Sequence, residues 1–112
     1  MQRILFLCSQ NKLRSPTAEQ VFSKYEGIDC DSAGLHESAN VPVSPEQIQW
    51  AEVIFVMEKA HRNKLSKKFK RHLDGKRVIV LNIRDEYEYM EPTLIQILER
   101  KVLPFLKLPA RA

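Results

Sequence analysis

Five residues separate Cys8 from Arg14, and Ser15-Pro16 follows directly. That spacing suits phosphoryl chemistry when the loop between the two residues joins a strand to a helix. Such a loop can turn successive backbone N–H groups inward as an anion nest. The dipole of the following helix adds partial positive charge at the same point. Arg14 can close the ring with a two-pronged guanidinium grip on a phosphate. A thiol in that field is held as thiolate, because the field that binds phosphate oxygen also binds anionic sulfur. A thiolate at the base of a phosphate cradle is a nucleophile for phosphoryl transfer. Outside such a context, Cys-x5-Arg is read as a small buried cysteine and a surface cation. The context therefore decides between the two.

The flanking residues supply it. Ile4, Leu5, Phe6 and Leu7 form a continuous apolar run that reads as a buried strand. Ser15-Pro16 reads as a helix cap with proline in the first turn. That helix is expected to reach about Tyr25, with Ala18, Val21, Phe22 and Tyr25 on one face, and to end at Gly27. A short strand follows over 28–33, stopped by Gly34. Residues 35–43 form a polar loop, and Ser44-Pro45-Glu46-Gln47 is a capping-box pattern opening a short helix. Residues 53–57 make a third strand. Leu65, Phe69 and Leu73 recur at helical spacing over 59–73. Asp74-Gly75 turns the chain, 78–81 is a fourth strand, and 82–90 is an acidic loop with two tyrosines. A last helix begins at Pro92 and is ended or kinked by Pro104. Short apolar strands alternating with helices predict an α/β fold. Its architecture is a three-layer, four-stranded parallel sheet with helices on both faces, in a single domain over 1–112. Ligands of such sheets sit beyond the carboxyl ends of the strands. The loops at 8–14, 34–43, 58 and 82–90 all leave those ends.

Composition narrows the function classes. A chain of 112 residues with 44% hydrophobic and 29% charged residues is an ordinary globular domain. No apolar stretch approaches the roughly 18 residues that cross a bilayer, and the N-terminal run is shorter than the roughly 7–15 of an export signal. A cytoplasmic location without membrane contact is expected. Cys8, Cys30, His36, His61 and His72 lack metal-ligand spacing, so neither metal nor cofactor is expected. The histidines read as surface or loop residues, and Trp50 and Phe55 as core. Residues 59–77 hold nine of the 18 Lys and Arg, with Asp74 as their only acid. Such a run is either a solvated helix face or a surface for an anionic partner. Nucleic acid is the weaker candidate, because only Phe69 interleaves an aromatic with the cations.

The stretch Phe6-Leu7-Cys8-Ser9-Gln10-Asn11-Lys12-Leu13-Arg14-Ser15-Pro16-Thr17-Ala18-Glu19 resembles the phosphate-binding loop of the low-molecular-weight protein tyrosine phosphatases. Ser32-Ala33-Gly34, Val53-Ile54-Phe55-Val56-Met57-Glu58, Arg62-Asn63-Lys64-Leu65 and Asp85-Glu86-Tyr87 resemble further segments of that family, in the same order. The resemblance implies that Cys8 takes the phosphoryl group as a thiophosphate and that Arg14 holds its oxygens. It implies that Ser9, Gln10, Asn11, Lys12, Leu13, Arg14 and Ser15 form the phosphate site. Within it, Ser15 would bond the thiolate and Asn11 would hold the loop open. It further implies that Asp85 protonates the leaving group and then activates water. The substrate would be a phosphorylated protein or a small aryl phosphate, with inorganic phosphate or sulfate as simpler ligands.

The sequence departs from the family at four points. Gln10 stands for a small Gly and is expected to narrow or reshape the nest. Leu13 stands for a second Cys, so no disulfide can form within the loop, and Cys30 reads as core. Residues 35–43 are shorter than the family's segment, which predicts a shallower pocket. Asp85 is followed by Glu86 rather than Pro, which leaves Glu86, Glu88 and Glu91 as rivals for the acid role. Tyr87 and Tyr89 either wall the pocket or pack on the sheet. Three other readings share this scaffold. A sugar-phosphotransferase subunit would lack Arg14. An arsenate reductase would need more cysteines than Cys30 to relay oxidation. A non-catalytic module would bind phosphate or nucleic acid without turnover.

Overall fold

A computed structural model describes residues 1–107 of the chain. Its strands are β1 (Gln2–Cys8), β2 (Ile28–Gly34), β3 (Val53–Val56) and β4 (Arg77–Val80). Its α-helices are α1 (Arg14–Phe22), α2 (Pro45–Trp50), α3 (Lys59–Phe69) and α4 (Pro92–Val102). The four strands form one parallel sheet in the order β2-β1-β3-β4. The chain leaves β1 for one neighbour and returns past it to the other, so the direction of winding reverses beside the end of β1. Ligands of open α/β sheets bind at such a reversal.

Side chains alternate across a strand, and β1 uses the alternation to build two cores. Ile4, Phe6 and Cys8 face a cluster completed by Phe22 of α1, Phe55 and Met57 beside β3, and Leu94, Leu98 and Val102 of α4. Leu5 and Leu7 face the other, with Ile48 of α2 and Leu65 and Phe69 of α3. Helices therefore cover both faces, and the continuous apolar run of β1 is explained by burial on both sides. Phe6 stacks between Phe22 and Phe55, with ring centroids 5.6 and 5.5 Å away. None of the described helices is long and apolar enough to cross a membrane.

Element boundaries differ from expectation where tertiary contacts intervene. α1 begins at Arg14 and stops at Phe22, short of Tyr25; Gly27 takes φ 83° beyond it. Residues 59–73 split into α3 and a 3-10 turn over Lys70–Leu73. Gly34 belongs to β2 rather than breaking it. A Cβ there would lie 2.5 Å from Ala39 Cβ and 2.6 Å from Ser9 O, so close approach demands the glycine. Cys30 is only partly buried, and its Sγ donates to Glu19 O at 3.4 Å. Burial first, and then Glu19, Asp29 and Asp31, push its thiol up to about 12. Trp50 is half-buried at the edge of the second core, and Phe55 is fully buried.

Candidate active site

Cys8 ends β1 at the winding reversal. Its Sγ lies 2.9 Å from Ser15 Oγ and accepts the Asn11 N–H at 3.3 Å. Asn11 adopts φ 55°, the left-handed region that Asn tolerates better than most residues. Its amide donates to Ser15 Oγ at 2.9 Å and to Ser32 Oγ at 3.0 Å. Ser32 in turn donates to Glu19 Oε1. Since Asn11 already donates to Ser15 Oγ, the single hydroxyl proton of Ser15 is free for the sulfur, a nearer acceptor than Ala33 O at 3.4 Å. This alters the expected cap. Ser15 lies inside α1 and serves Cys8, while the residue ahead of the helix, Leu13, provides no side-chain cap. The first N–H groups of α1 are left without a side-chain acceptor, the usual preparation for an anion.

The carbonyls of the loop are bonded by residues 35–40. Leu35 N–H donates to Cys8 O at 2.9 Å, His36 N–H to Ser9 O at 3.0 Å and Asn40 N–H to Gln10 O at 3.0 Å. The Asn40 side chain donates to Asn11 O at 3.2 Å. Four consecutive carbonyls are thereby satisfied from one side. The short 35–43 segment acts as a clamp on the loop. Gln10 turns its Oε1 to Ser38 Oγ at 3.3 Å, so its side chain is tied to the clamp.

Arg14 is 3% exposed. Its Nη1 donates to Glu58 Oε2 at 2.6 Å and to Ile83 O at 2.7 Å. Both Nη1 protons are thus engaged, which leaves the Nε and Nη2 edge of the guanidinium to grip an anion. Asp85 Oδ1 lies 3.7 Å from Nε, beside that edge. The bond from Arg14 is the main cause that holds the Glu58 carboxyl below its usual range.

Sequence reasoning missed Glu58 and His61 as site residues. His61 is buried, contrary to the surface position expected of it. Its Nδ1 accepts the Glu58 N–H at 3.1 Å, and its Nε2 lies 2.9 Å from Ser9 Oγ. A neutral ring that accepts at Nδ1 carries its proton on Nε2 and donates it to Ser9. Burial, and then Arg14, lower its pKa. The available signal was position: Glu58 leaves the carboxyl end of β3, and His61 follows in the first turn of α3. His36 is exposed, as expected, and His72 is half-buried against Phe69.

A depression of about 100 Å³ lies over these groups, lined by Cys8, Ser9, Gln10, Lys12, Leu13, Arg14 and Asp85. Of the four candidate acids only Asp85 lines it. Glu86 pairs with Arg84, and Glu91 accepts from Glu88 N–H. The tyrosines do not wall this depression. Tyr87 packs against the first core, and Tyr89 lines a neighbouring groove with Lys12, Pro16 and Glu19. The physical reason is the path of the 82–90 loop. Asn82 and Met90 both take left-handed φ, and Met90 N–H is tied to Thr17 Oγ1 at 3.0 Å.

The fold recurs in proteins already known. Residues 3–71, from β1 into the turn after α3, match the model of the low molecular weight phosphotyrosine protein phosphatases. No curated protein matches the chain. Among solved structures, the Wzb protein of Vibrio vulnificus in complex with benzylphosphonate superposes with TM-score 0.75 at 18% identity, over 93% of this chain and 96% of that one. The tyrosine phosphatase Wzb of Escherichia coli K30 in complex with phosphate gives 0.73 at 17%, over 93% and 95%. The YwlE arginine phosphatase of Geobacillus stearothermophilus gives 0.67 at 21%, over 94% and 95%. With the model match covering more than half of its length, the chain belongs to the low molecular weight phosphotyrosine protein phosphatase family.

Proposed function

We propose that the protein hydrolyses phosphotyrosine in proteins, or small aryl phosphates, through a covalent intermediate on Cys8. Cys8 Sγ attacks phosphorus while the P–O bond to the leaving group breaks. Asp85 gives its proton to the departing oxygen. Asp85 then takes a proton from water, the water oxygen attacks phosphorus, and the S–P bond breaks to release phosphate and the thiolate. The Nε and Nη2 edge of Arg14 and the N–H groups of 9–15 hold the three remaining oxygens through both steps.

The observation that carries this reading is the surroundings of one sulfur. Cys8 Sγ is bonded by Ser15 Oγ and Asn11 N–H, and it shares its depression with Arg14 and Asp85. The depression of about 100 Å³ suits a phosphoryl group and leaves an aryl ring lying across the rim. Cys30 pairs with Ile4, four residues down the sheet from Cys8. That is about 13 Å at the rise of a strand, too far for a disulfide. This counts against the arsenate reductase reading.

The test is hydrolysis of p-nitrophenyl phosphate across pH 5–8. Turnover is expected in the native protein, none in Cys8→Ser, and a loss of about 10²–10⁴ in kcat for Asp85→Asn. Turnover that survives Cys8→Ser overturns the mechanism. Vanadate binding without turnover would instead indicate a phosphate-binding module.

A further inference from the structure

The cations of 59–77 have no part in the chemistry above. Residues 59–77 carry nine cations and one acid, a formal +8 in a chain of +4, so the remainder carries −4. Among the described residues, the ion pairs use none of these nine cations. Lys76 is spent on the carbonyls of Gln49 and Ala51, and Arg77 lies over the Phe105 ring. Those on α3 are mostly exposed.

Their placement relative to the phosphate loop is specific. His61, Lys64, Leu65 and Lys68 recur at three- and four-residue steps and so share one side of α3. His61 touches Ser9 of the loop. One and two turns further on, Lys64 and Lys68 line a cavity of about 360 Å³ with Leu35, His36 and Glu37. Leu35 and His36 are the residues whose N–H groups hold Cys8 O and Ser9 O. Lys64 and Lys68, the latter over the Phe69 ring, thus outnumber the single acid Glu37 in a groove that backs onto the loop.

We propose that this groove docks an acidic segment of the phosphorylated protein substrate, with Lys64 and Lys68 as the residues that recognise it. The inference rests on the phosphatase reading and names its substrate class: phosphoproteins with Asp or Glu near the phosphorylated residue. The groove and the Cys8 depression are linked through Ser9, which lines the depression, bonds His61 and accepts the His36 N–H. The opposite charges raise encounter rate and occupancy more than they alter the chemical step. A nucleic-acid strand fits less well, since no Phe, Tyr or Trp lines the cavity for base stacking.

The experiment compares two phosphotyrosine peptides, one with three acidic residues on each side and one with serines there. Each is assayed with the native protein and with the Lys64→Gln/Lys68→Gln double variant, at low and at 300 mM salt. Both proteins should hydrolyse p-nitrophenyl phosphate equally. The native protein should prefer the acidic peptide about tenfold in kcat/KM, through KM, as two exposed ion pairs supply. The double variant and high salt should each abolish that preference. Equal rates on the two peptides, or a preference that survives the double substitution, would overturn the proposal. Fluorescence anisotropy of the same labelled peptides reads docking without turnover. If no substrate is hydrolysed, the phosphatase reading fails. A tenfold weakening of acidic-peptide binding in the double variant would then still support the groove, and equal binding would sink it. An oligonucleotide that binds tighter than the acidic peptide, and is lost in the double variant, would reassign the groove to nucleic acid.

Discussion

Arg14 is useful because of which of its protons are already taken. Glu58 and Ile83 O occupy Nη1, so the opposite edge is left for the anion proposed to bind there. Glu58→Gln keeps the shape and weakens a charge-assisted bond of about 1.5–3 kcal/mol. The kcat/KM for an aryl phosphate is therefore expected to fall about tenfold or more. Stability should change little, because the Glu58 side chain is 44% exposed. An unchanged kcat/KM would remove Glu58 as a positioning residue. His61 makes a prediction in pH. Burial and Arg14 hold its pKa below the ordinary 6.5. As pH falls, the unfolded chain takes up that proton before the folded one does. The stability contributed by the neutral ring is thus complete above the ordinary value and declines as pH drops below it. Urea midpoints at pH 7.5 and 5.5 should show this decline in the native protein and a flatter profile in His61→Gln. Parallel profiles would show that His61 is not its source.

At the scale of elements, the clamp of residues 35–40 on the phosphate loop decides which way the loop's peptide units face. The N–H groups of 35, 36 and 40 satisfy the carbonyls of 8, 9 and 10, which fixes those peptide units for the phosphate site proposed above. Gly34 permits that approach. The methyl of Gly34→Ala would meet Ala39 Cβ and the Ser9 carbonyl, neither of them the end of a flexible chain. A loss of about 1–3 kcal/mol is expected, typical of an extra methyl in a packed contact. It should come with weaker inhibition by inorganic phosphate, because the Ser9 peptide unit has to turn. A urea midpoint and a phosphate inhibition constant test both parts. Destabilisation with an unchanged inhibition constant would separate the clamp from the nest.

Across the whole molecule, one strand organises both cores and the site. Phe6 of β1, stacked between Phe22 and Phe55, links α1, β1 and β3 two residues before Cys8. Phe22→Ala removes a fully buried ring and should cost about 3–5 kcal/mol in urea unfolding. KM should stay within a factor of about two under native conditions, since no polar contact of the nest involves it. A large change in KM would show that the first core transmits strain to the loop.

The loop proposed to bind phosphate was legible in the sequence because it is contiguous. Cys8, Asn11, Arg14 and Ser15 lie within eight residues, framed by an apolar run and a helix start, and chain geometry alone keeps them together. The two-sided sheet was legible as well, because strands buried on both faces must be apolar throughout. Asp85 was marked only by its spacing to Tyr87, and its place beside Arg14 depends on how the 82–90 loop is tied down at both ends. Glu58 and His61 could not be read as partners of the loop. Their contacts exist because β3 pairs with β1 and sets the first turn of α3 against Ser9, and a strand order is not written in periodicity. The residues at 35–40 looked like a missing wall. Only the folded chain shows them as hydrogen-bond donors to the loop's carbonyls, because backbone groups pair across space without regard to side-chain type. Sequence alone determined the fold class and marked Cys8, Arg14 and Asp85 as the residues proposed to carry the chemistry. Tertiary structure decided which way the loop faces and which edge of Arg14 is free, because both depend on acceptors and donors supplied by distant segments.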